Sequence, residues 1–408
     1  MLKIKTWYLK DRLTRDLRLL LAIGGIYSLS VALSNTFVNV YLWKKTGNFF
    51  HLGFYNFLLA MIQFITFIIA GKVAKRVDRI VVLRIGLVFL AVFFVTVLLS
   101  GNSAGNYLFF LGGLLGAGYG FYWLAYNVLT FEITEPDNRD FFNGFLGVLS
   151  SAGGMVGPIV AGLIISQFEQ FTGYMIIFSI SLGLFAVASL LSFFMKRRSA
   201  EGRYFFLTVL KERKRNRNWK MITNATISQG LREGIFAFII NVYVYIVTGS
   251  EMALGTFAFV HSFVSFITYY VSGRFIRKRY RKSAILFGGM VLFLSIFIII
   301  FQVNYTLLLL YSGVIAFAYP IVLVPFLSTS YDVIGKSRHA AEMRVEYVVV
   351  REVFLNIGRM VSIFSFLIGI SLFPVKIVIP ILLVVFGSGY LLIYVFIRNV
   401  HLDESPPF

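Results

Sequence analysis

The chain has 408 residues, of which 58% are hydrophobic and only 14% are charged, and it has a formal net charge of +20 and no cysteine. Soluble domains contain about 25% charged residues, so this composition excludes an ordinary soluble protein. The lack of cysteine excludes disulfides, thiolate nucleophiles and cysteine metal sites. The apolar residues lie in runs of about twenty, the length that crosses a hydrocarbon core, which predicts an all-α polytopic membrane protein.

In chain order, the apolar runs predict twelve transmembrane helices, and the loops between them are too short to hold a soluble catalytic domain. The first run follows a basic N-terminus that superficially resembles a signal peptide. It is too long for the apolar region of such a peptide, and no small-residue cleavage site follows it. The predicted spans are residues 18–42, 50–70, 81–100, 107–130, 141–166, 173–195, 221–247, 252–272, 284–302, 305–330, 347–372 and 375–397.

The positions of the basic residues predict the orientation of these helices. An even number of spans places both termini on one side of the membrane. Most Lys and Arg residues fall in the termini and in the alternate loops of that side, whereas the opposite loops hold only Lys44, Lys45 and Lys376. The positive-inside rule therefore predicts cytoplasmic termini in a plasma or inner membrane. Topology and contact with lipid phosphates explain the charge better than binding to nucleic acid does.

The sequence repeats itself with an offset of 202 residues. Without a gap, Asn39–Tyr41 aligns with Asn241–Tyr243, and Phe64–Thr66 aligns with Phe266–Thr268. Both copies begin on the same side, so the repeats are parallel and related by an axis along the membrane normal. This predicts an N-terminal six-helix bundle over residues 1–195, a basic cytoplasmic linker over 196–220 and a C-terminal six-helix bundle over 221–408.

The loop after the second span carries a motif that the second half repeats. It runs from Gly71 to Arg79, and its counterpart runs from Gly273 past Arg281. Glycine permits the tight reversal expected where a helix ends, and basic groups bridge helix C-termini and lipid phosphates. The motif resembles the loop signature of the major facilitator superfamily (MFS), and the resemblance covers essentially the whole chain. It implies an MFS fold of two pseudo-symmetric six-helix bundles with a midplane site between them.

The motif departs from the family pattern at one position. Lys75 and Arg277 stand where the family usually has an acid. We therefore expect the family's charge relay at this loop to be altered, or to have moved to Asp78. The departure affects the expected gating, while the repeated spacing supports the fold.

The fifth span is rich in small residues and is similar to the motif that marks exporters and antiporters of this superfamily, with Ala161 as the only departure. Small residues let helices approach closely, and an internal proline removes a backbone donor. The resemblance implies a gating helix between the bundles, and a plain packing face is the alternative. An Arg that is usual in the fourth span of drug/proton antiporters is missing. The pattern comprises Gly144, Gly153, Gly157, Pro158 and Gly162.

Ionisable residues within the spans are the candidates for coupling, because charge is costly in hydrocarbon and usually faces a bundle interior or an aqueous cavity. Arg232 and Glu233 lie in the seventh span, and Arg351, Glu352 and Arg359 lie in the eleventh. From their estimated depths we expect Glu233 to pair with Arg359, and Glu352 to pair with Arg232 or Arg351. Either these pairs are static, or a carboxylate exchanges its Arg partner for a proton or an anionic substrate during alternating access.

Amide and aromatic side chains of the first and fourth spans of each half predict the substrate cavity, although aromatic stripes also occur in plain packing. Asn356 is added because it shares a helical face with Glu352 and Arg359. His261 is either titratable near neutral pH or a hydrogen-bonded structural residue. The predicted cavity residues are Asn35, Asn39, Tyr119, Tyr122, Trp123, Tyr126, Asn127, Asn241, His261, Tyr319 and Asn356.

The sequence thus predicts a secondary transporter that exports a small amphiphilic or anionic molecule, uses the proton gradient instead of a cofactor, contacts membrane lipids and acts as a monomer. No metal-ligand spacing or phosphate-binding loop supports an enzyme or an ATP-driven pump. Two alternatives remain open. One is a flippase for a lipid-linked glycan or phospholipid, and the other is a transport-inactive membrane scaffold.

Overall fold

A computed structural model describes residues 14–133, 136–168, 171–196, 202–276 and 278–401. Twelve helices in these residues are long and apolar enough to cross a membrane, and the same residues form no β-strand, which confirms the predicted all-α fold. We number these helices α1 to α12. Their bounds are Arg15–Thr46, Phe49–Arg76, Arg79–Ser100, Leu108–Ile133, Pro136–Gln167, Thr172–Ser192, Arg217–Thr248, Glu251–Phe275, Arg281–Leu294 with Phe297–Ile300, Tyr305–Gly335, Arg344–Leu372, and Val375–Gly387 with Gly389–Ile397.

The same tight corner joins the first two helices of each half. Helix α1 ends at Gly47, whose φ is 59°, and α7 ends at Gly249, whose φ is 60°. L-residues with a side chain rarely adopt this left-handed conformation, so glycine is required at both positions. The next residue then caps the following helix, because Asn48 and Ser250 each accept a hydrogen bond from a backbone amide in its first turn.

The internal repeat is also visible in the packing of the helices. In the first half α1 packs against α5 and α6, α4 packs against α2 and α3, and α3 packs against α6. Advancing each helix number by six reproduces these contacts in the second half. The two six-helix bundles meet mainly through α2 with α11 and through α5 with α8. The interface between the bundles is therefore also pseudo-symmetric.

Glycines set the closest approaches between helices. Within the C-terminal bundle, α7 and α11 meet at Gly230 and Gly358, where a Cβ on either residue would collide with a backbone carbonyl of the other helix. Helix α5 has two small-residue faces. Gly153 and Gly157 face α1, whereas Gly162 packs against the first turn of α8. Such faces let backbones approach closely in a membrane, where apolar side chains alone give little preference for protein over lipid.

The carbonyl of Pro158 adds to the α5–α8 interface by packing against Gly255. The fifth-span pattern therefore contacts both its own bundle and the other one. Gly144 belongs to the same helix, but its surroundings lie outside the described residues.

The motif after the second span differs from the prediction. Helix α2 continues to Arg76, so Gly71 lies inside the helix rather than at a reversal, and Gly273 likewise lies inside α8. The long basic side chains near the end of α2 extend toward the polar boundary of the membrane, so the helix continues past Gly71 to Arg76. What requires glycine at position 71 is a close approach, because an added Cβ would lie 2.7 Å from Val349 of α11.

The other motif residues act within single bundles. Asp78 caps α3 by accepting a hydrogen bond from its first turn. Arg79 pairs with Glu132 of α4 at 2.9 Å, and Arg281 pairs with Asp332 of α10 at 2.7 Å. The repeated arginines therefore tie the third helix to the fourth in each half.

The linker is docked against the junction of α2 and α11. Glu346 of α11 is fully buried, and its Oε1 lies 3.4 Å from Lys75 Nζ of α2 and accepts a hydrogen bond from the Phe205 backbone at 3.1 Å. Tyr204 packs on Gly71, and burial and then the charge of Glu346 raise its pKa above the usual value. Lys75 is thus neutralised by an acid of the other bundle. We call this end of the molecule the linker face and the opposite end the far face.

Gly230→Ala is expected to lower the melting temperature of the purified protein in detergent. The added methyl group collides with the Leu355 carbonyl, and overpacking of this kind costs about 1–3 kcal/mol. The matched control is Gly313→Ala in α10, where nothing lies within 4 Å of the added Cβ. Equal melting of the two variants would contradict the close approach of α7 and α11.

Candidate functional site

A central cavity of about 860 Å³ lies between the two bundles. Helices α1, α2, α4 and α5 form one wall, and α7, α8, α10, α11 and α12 form the other. Cavities of roughly 300–1,000 Å³ accommodate small organic molecules. The size and position of the cavity therefore make it the candidate substrate site.

An ion pair between the bundles closes the far face. Lys44 Nζ at the end of α1 lies 2.7 Å from Glu251 Oε1 at the start of α8, and Tyr174 of α6 donates a hydrogen bond to the same oxygen at 3.0 Å. A Cβ on Gly162 would lie 2.9 Å from the Glu251 carbonyl, so the helices also touch through their backbones. Glu251 is only 8% exposed, and these contacts separate the cavity from the far face.

The internal repeat allows the α2–α11 contact at the linker face to be compared with the equivalent positions of α5 and α8. Gly71 on α2 packs against Val349 on α11, but the residues at the matching repeat positions, Gly273 on α8 and Gly147 on α5, have nothing within 4 Å of an added Cβ. Helices α5 and α8 therefore separate toward the linker face while α2 and α11 stay in contact. Trp123, which lines the cavity, is 39% exposed. The cavity is accordingly open toward the linker face and closed at the far face.

The cavity wall contains most of the residues predicted to line it. The predicted residues that the structure brings together there are Asn35, Asn39, Tyr119, Trp123, Asn127, Asn241, His261 and Tyr319.

The structure places three of the predicted residues outside the cavity wall. The ring of Tyr122 stacks on Tyr27 at 3.8 Å and is 1% exposed, and Tyr126 is buried and donates a hydrogen bond to the Leu20 carbonyl at 3.3 Å. The aromatic stripe of α4 is wider than the cavity, so only part of it faces the cavity. Asn356 is fully buried and donates to the Glu352 carbonyl at 3.0 Å. The close approach of α7 and α11 covers its face.

Several tyrosines of the cavity wall were missed in the sequence. Tyr27 precedes Val31, Asn35 and Asn39 at intervals of four residues, so helical periodicity alone indicates that it shares their face. Tyr390 carried no such signal, because it belongs to α12, the last helix of its bundle. The other missed tyrosines are Tyr55, Tyr311 and Tyr331.

Neutral polar groups form the N-terminal wall. Asn56 donates a hydrogen bond to Asn39 at 2.9 Å, and Tyr119 donates to Asn35 at 3.1 Å. In the described residues of this half, all cavity-lining side chains are uncharged. The electrostatic character of the cavity therefore comes from the C-terminal bundle.

Glu233 of α7 is the most extensively bonded acid of the cavity. Its Oε2 lies 2.6 Å from Arg359 Nη2 of α11, which is the pairing that the sequence predicts. Its Oε1 accepts hydrogen bonds from Gln229 at 2.8 Å and from Tyr390 of α12 at 3.3 Å. One carboxylate thus joins three helices, and both of its oxygens have partners.

The second acid, Glu352, pairs with the neighbouring residue. Arg351 Nη2 lies 2.6 Å from Glu352 Oε1, so Arg351 rather than Arg232 is the partner among the two expected alternatives. The length of the Arg side chain lets it fold back across the angle of about 100° between adjacent helical positions. Arg351 Nη1 is buried and has no hydrogen-bond partner.

Arg232 differs from the other two arginines. Arg232 is 6% exposed, and its guanidinium contacts the rings of Phe236 and Tyr390, with Cζ 4.6 Å and 4.8 Å from the ring centroids. Its Nε and Nη2 have no hydrogen-bond partner. No carboxylate in the described part of the chain lies within ion-pair distance of it.

His261 lines the cavity. Within the described ranges, no group of three or more His, Asp or Glu side chains is arranged to hold a metal ion. Arg84 is a further charged residue within the third span that the sequence analysis did not include. It donates a hydrogen bond to the Ser192 carbonyl at 3.0 Å and lies outside the cavity wall. The charged side chains of the cavity wall are therefore two ion pairs and one further guanidinium.

The chain is similar to a known protein family and to two bacterial proteins. Residues 20–362 match the family model described as Major Facilitator Superfamily. A Bacillus subtilis (strain 168) protein named "Uncharacterized protein YqgE" is 54% identical over 391 residues, which cover 96% of this chain and 91% of that protein. A Geobacillus stearothermophilus protein named "Uncharacterized protein in sodM 3'region" is 62% identical over 169 residues, covering 41% of this chain and 79% of that protein.

Two solved structures have the same fold. The human organic anion transporter MFSD10 (TETRAN) superposes with a TM-score of 0.67 at 13% identity and covers 94% of this chain and 98% of its own. The E. coli fucose:proton symporter FucP superposes with a TM-score of 0.64 at 15% identity and covers 96% of this chain and 99% of its own. At these identities the likeness concerns the fold alone.

Arg359→Gln is expected to lower the free energy of unfolding by about 3 kcal/mol, because it leaves the Glu233 carboxylate in the cavity wall without its guanidinium. The double variant with Glu233→Gln and Arg359→Gln should recover more than half of this loss, since it removes both charges. The unfolding of wild type, the two single variants and the double variant is followed in detergent by intrinsic fluorescence. The four free energies of unfolding give the coupling energy between Glu233 and Arg359. Strictly additive losses would contradict the ion pair.

Proposed function

The chain belongs to the Major Facilitator Superfamily, a family of secondary transporters, and we propose that it exports a small amphiphilic or anionic molecule in exchange for protons. The proposed mechanism is alternating access to the central cavity. The twelve apolar helices make it an integral multi-pass membrane protein. In the proposed orientation, the linker face and both termini lie in the cytoplasm of a plasma or inner membrane.

The observation that carries this proposal is the position of the Glu233–Arg359 pair in the wall of the cavity. A proton and a substrate can reach the pair through the same opening at the linker face. Protonation of Glu233 removes the negative charge that holds Arg359, 2.6 Å away, and releases its guanidinium. A released guanidinium is free to take a substrate oxygen or a new protein partner. Proton binding and substrate binding are thereby coupled at one place.

The position of Glu233 also connects proton binding to helix movement. The carboxylate is bonded to side chains of α11 and α12 as well as to Gln229 of its own helix, so its neutralisation weakens two contacts between helices at once. Helix α11 is one of the two helices of the C-terminal bundle that form the main contacts across the bundle interface. A change at Glu233 can therefore reach this interface through α11 itself.

The two faces provide the alternating gates. In the outward-open state that the mechanism requires, the Lys44–Glu251 pair and the Tyr174 hydrogen bond at the far face would break. Helices α5 and α8 would then close at the linker face. The small residues on both helices leave room for their backbones to meet there, as they already do at Gly162 and Gly255. This supports a gating role for the fifth-span pattern.

A flippase for a lipid-linked glycan or phospholipid is the second candidate. The separation of α5 and α8 near the linker face favours it, because a gap between these two helices would admit a headgroup from the adjacent leaflet. The buried arginines of the cavity would neutralise an anionic headgroup. A transport-inactive scaffold requires instead that the ion pairs stay fixed.

Glu233→Gln and Glu352→Gln are each expected to abolish uphill transport while leaving exchange of substrate across the membrane intact. The amide keeps the shape of the side chain but cannot carry a proton in exchange. We would measure proton movement with pyranine trapped in proteoliposomes, after adding members of a panel of organic anions, cationic amphiphiles and sugars. A substrate is a compound that moves protons with the wild-type protein.

The matched control is Glu132→Gln, which removes an acid of another ion pair, bound to Arg79 outside the cavity. It should transport like wild type. Undiminished uphill transport by both cavity variants would rule out coupling through these acids. If instead no compound moves protons with the wild-type protein, the scaffold is favoured.

Cross-linking the far face is expected to block transport. Because the chain has no cysteine of its own, the pair Lys44→Cys and Glu251→Cys can be joined by a short bismaleimide without background reactions. The cross-link holds the bundles together where the mechanism requires them to separate. Substrate exchange in proteoliposomes is measured before and after the reaction.

The corresponding control joins two helices of one bundle through Arg79→Cys and Glu132→Cys, whose native side chains meet at a similar distance of 2.9 Å. This cross-link should leave exchange unchanged. Equal exchange by both cross-linked proteins would contradict opening of the far face.

A further inference from the structure

The cavity contains more positive than negative side chains. Its lining includes three arginines and two glutamates, and Arg359 and Arg351 are each paired with one of the glutamates at 2.6 Å. In the described lining this leaves one surplus positive charge, located on Arg232. The surplus identifies a single side chain for which the protein supplies no counter-ion.

Arg232 has free hydrogen-bonding capacity as well as free charge. Two of its nitrogens, Nε and Nη2, are buried and have no hydrogen-bond partner. A guanidinium has five N–H groups in a planar arrangement, and it binds carboxylate or phosphate through two parallel hydrogen bonds. The nitrogens Nε and Nη2 belong to one edge of this plane, so the unused donors suit one two-oxygen group.

An unpaired guanidinium is unfavourable at this place. Burying a charge is costly unless a partner compensates for it, and an ionisable residue at membrane depth marks a functional site. The rings of Phe236 and Tyr390 supply cation–π contacts at 4.6 Å and 4.8 Å, which offset part of the cost. They leave the N–H groups unbonded.

We propose that Arg232 is the anion-binding residue of the central cavity and that the substrate is an organic anion whose carboxylate, sulfonate or phosphate group binds to it. The inference rests on the proposed transport function and specifies the substrate class of the same cavity. The anionic group takes the unused N–H donors and neutralises the surplus charge.

Nearby groups complete the site. Tyr311 is fully buried and lines the cavity, its hydroxyl has no hydrogen-bond partner, and it lies within electrostatic range of Arg232. A second oxygen of the anionic group is a suitable acceptor for this hydroxyl. The aromatic rings that line the cavity then contact the apolar part of the same molecule.

The other two arginines are less suited to this role in the present conformation. A ligand on Arg359 or Arg351 has to displace a carboxylate at 2.6 Å, whereas a ligand on Arg232 has no paired carboxylate to displace. Proton binding and substrate binding are thus assigned to different arginines. Glu233 with Arg359 is the proposed proton-responsive pair, and Arg232 is the substrate residue.

The experiment measures the binding of 2-naphthoate to the purified full-length protein in detergent by isothermal titration calorimetry, with no proton gradient. We expect saturable binding to wild type, binding at least about tenfold weaker for 2-naphthamide, and a similar loss for 2-naphthoate with Arg232→Gln. Arg232→Lys should fall between the two, because it keeps the charge but loses the paired donors. Arg84→Gln, which changes an arginine outside the cavity, should bind like wild type.

A stability measurement shows whether Arg232→Gln remains folded. Because the substitution removes an uncompensated buried charge, we expect it to melt at or above the wild-type temperature without ligand. A lower melting temperature would overturn the idea that Arg232 has no partner in the empty protein. Equal affinity for 2-naphthoate and 2-naphthamide, unchanged affinity in Arg232→Gln, or no saturable binding of 2-naphthoate to wild type would overturn the anion site.

Competition distinguishes a free anion from a lipid headgroup. Dihexanoyl phosphatidylglycerol offers the same anionic chemistry on a lipid. Stronger Arg232-dependent binding of this lipid would support the anion site and assign it to a headgroup, and stronger binding of 2-naphthoate would support it for a free anion. Because Glu233→Gln releases Arg359, its total affinity for 2-naphthoate is not the control; adding Arg232→Gln in this background should still weaken binding at least about tenfold. Failure of Glu233-dependent transport with intact Arg232-dependent binding would therefore count against proton coupling alone.

Discussion

A charge at the depth of the hydrocarbon core is stable only where a partner or an aqueous cavity compensates for it, and this constraint organises the C-terminal bundle. Glu233 holds Arg359 and also takes hydrogen bonds from two other side chains, which brings α7, α11 and α12 together at one point. Glu352 satisfies Arg351 on the same helix. Arg232 remains as the one cavity guanidinium without a carboxylate in the described residues, and its surplus charge defines the chemistry that the cavity attracts.

The two halves repeat one framework but use it for different purposes. Corresponding helices pack on one another in the same pattern, and both halves turn their first corner at a left-handed glycine. The chemistry differs, because amides and aromatic rings line the first half and ion pairs line the second. The bundle interface also differs between its two pseudo-symmetric seams. Helices α2 and α11 are held at the linker face by Lys75 and Glu346, whereas α5 and α8 separate there.

Close packing and movement depend on the same small residues. In α5, Gly153 and Gly157 fit α1 of the same bundle, while Gly162 fits the first turn of α8. A helix with small faces on two sides keeps its place in its own bundle while it shifts against the other bundle. Backbone contacts of this kind tolerate small displacements better than interlocked long side chains do, because few atoms have to be repacked. The helix that defines the far-face contact is thereby suited to a changing interface.

The sequence by itself determined the class of fold, because length, hydropathy and the 202-residue repeat depend only on local composition and spacing. It also indicated the pairing of Glu233 with Arg359, since two opposite charges at similar depth in one six-helix bundle have few other partners. It did not determine the extent of α2 beyond Gly71, or that Tyr122, Tyr126 and Asn356 turn away from the cavity. Only the tertiary structure decided these points, because helix rotation depends on which small residues meet across a contact. The rotation of α12 likewise places Tyr390 in the cavity wall, although the sequence of this helix did not indicate a cavity residue.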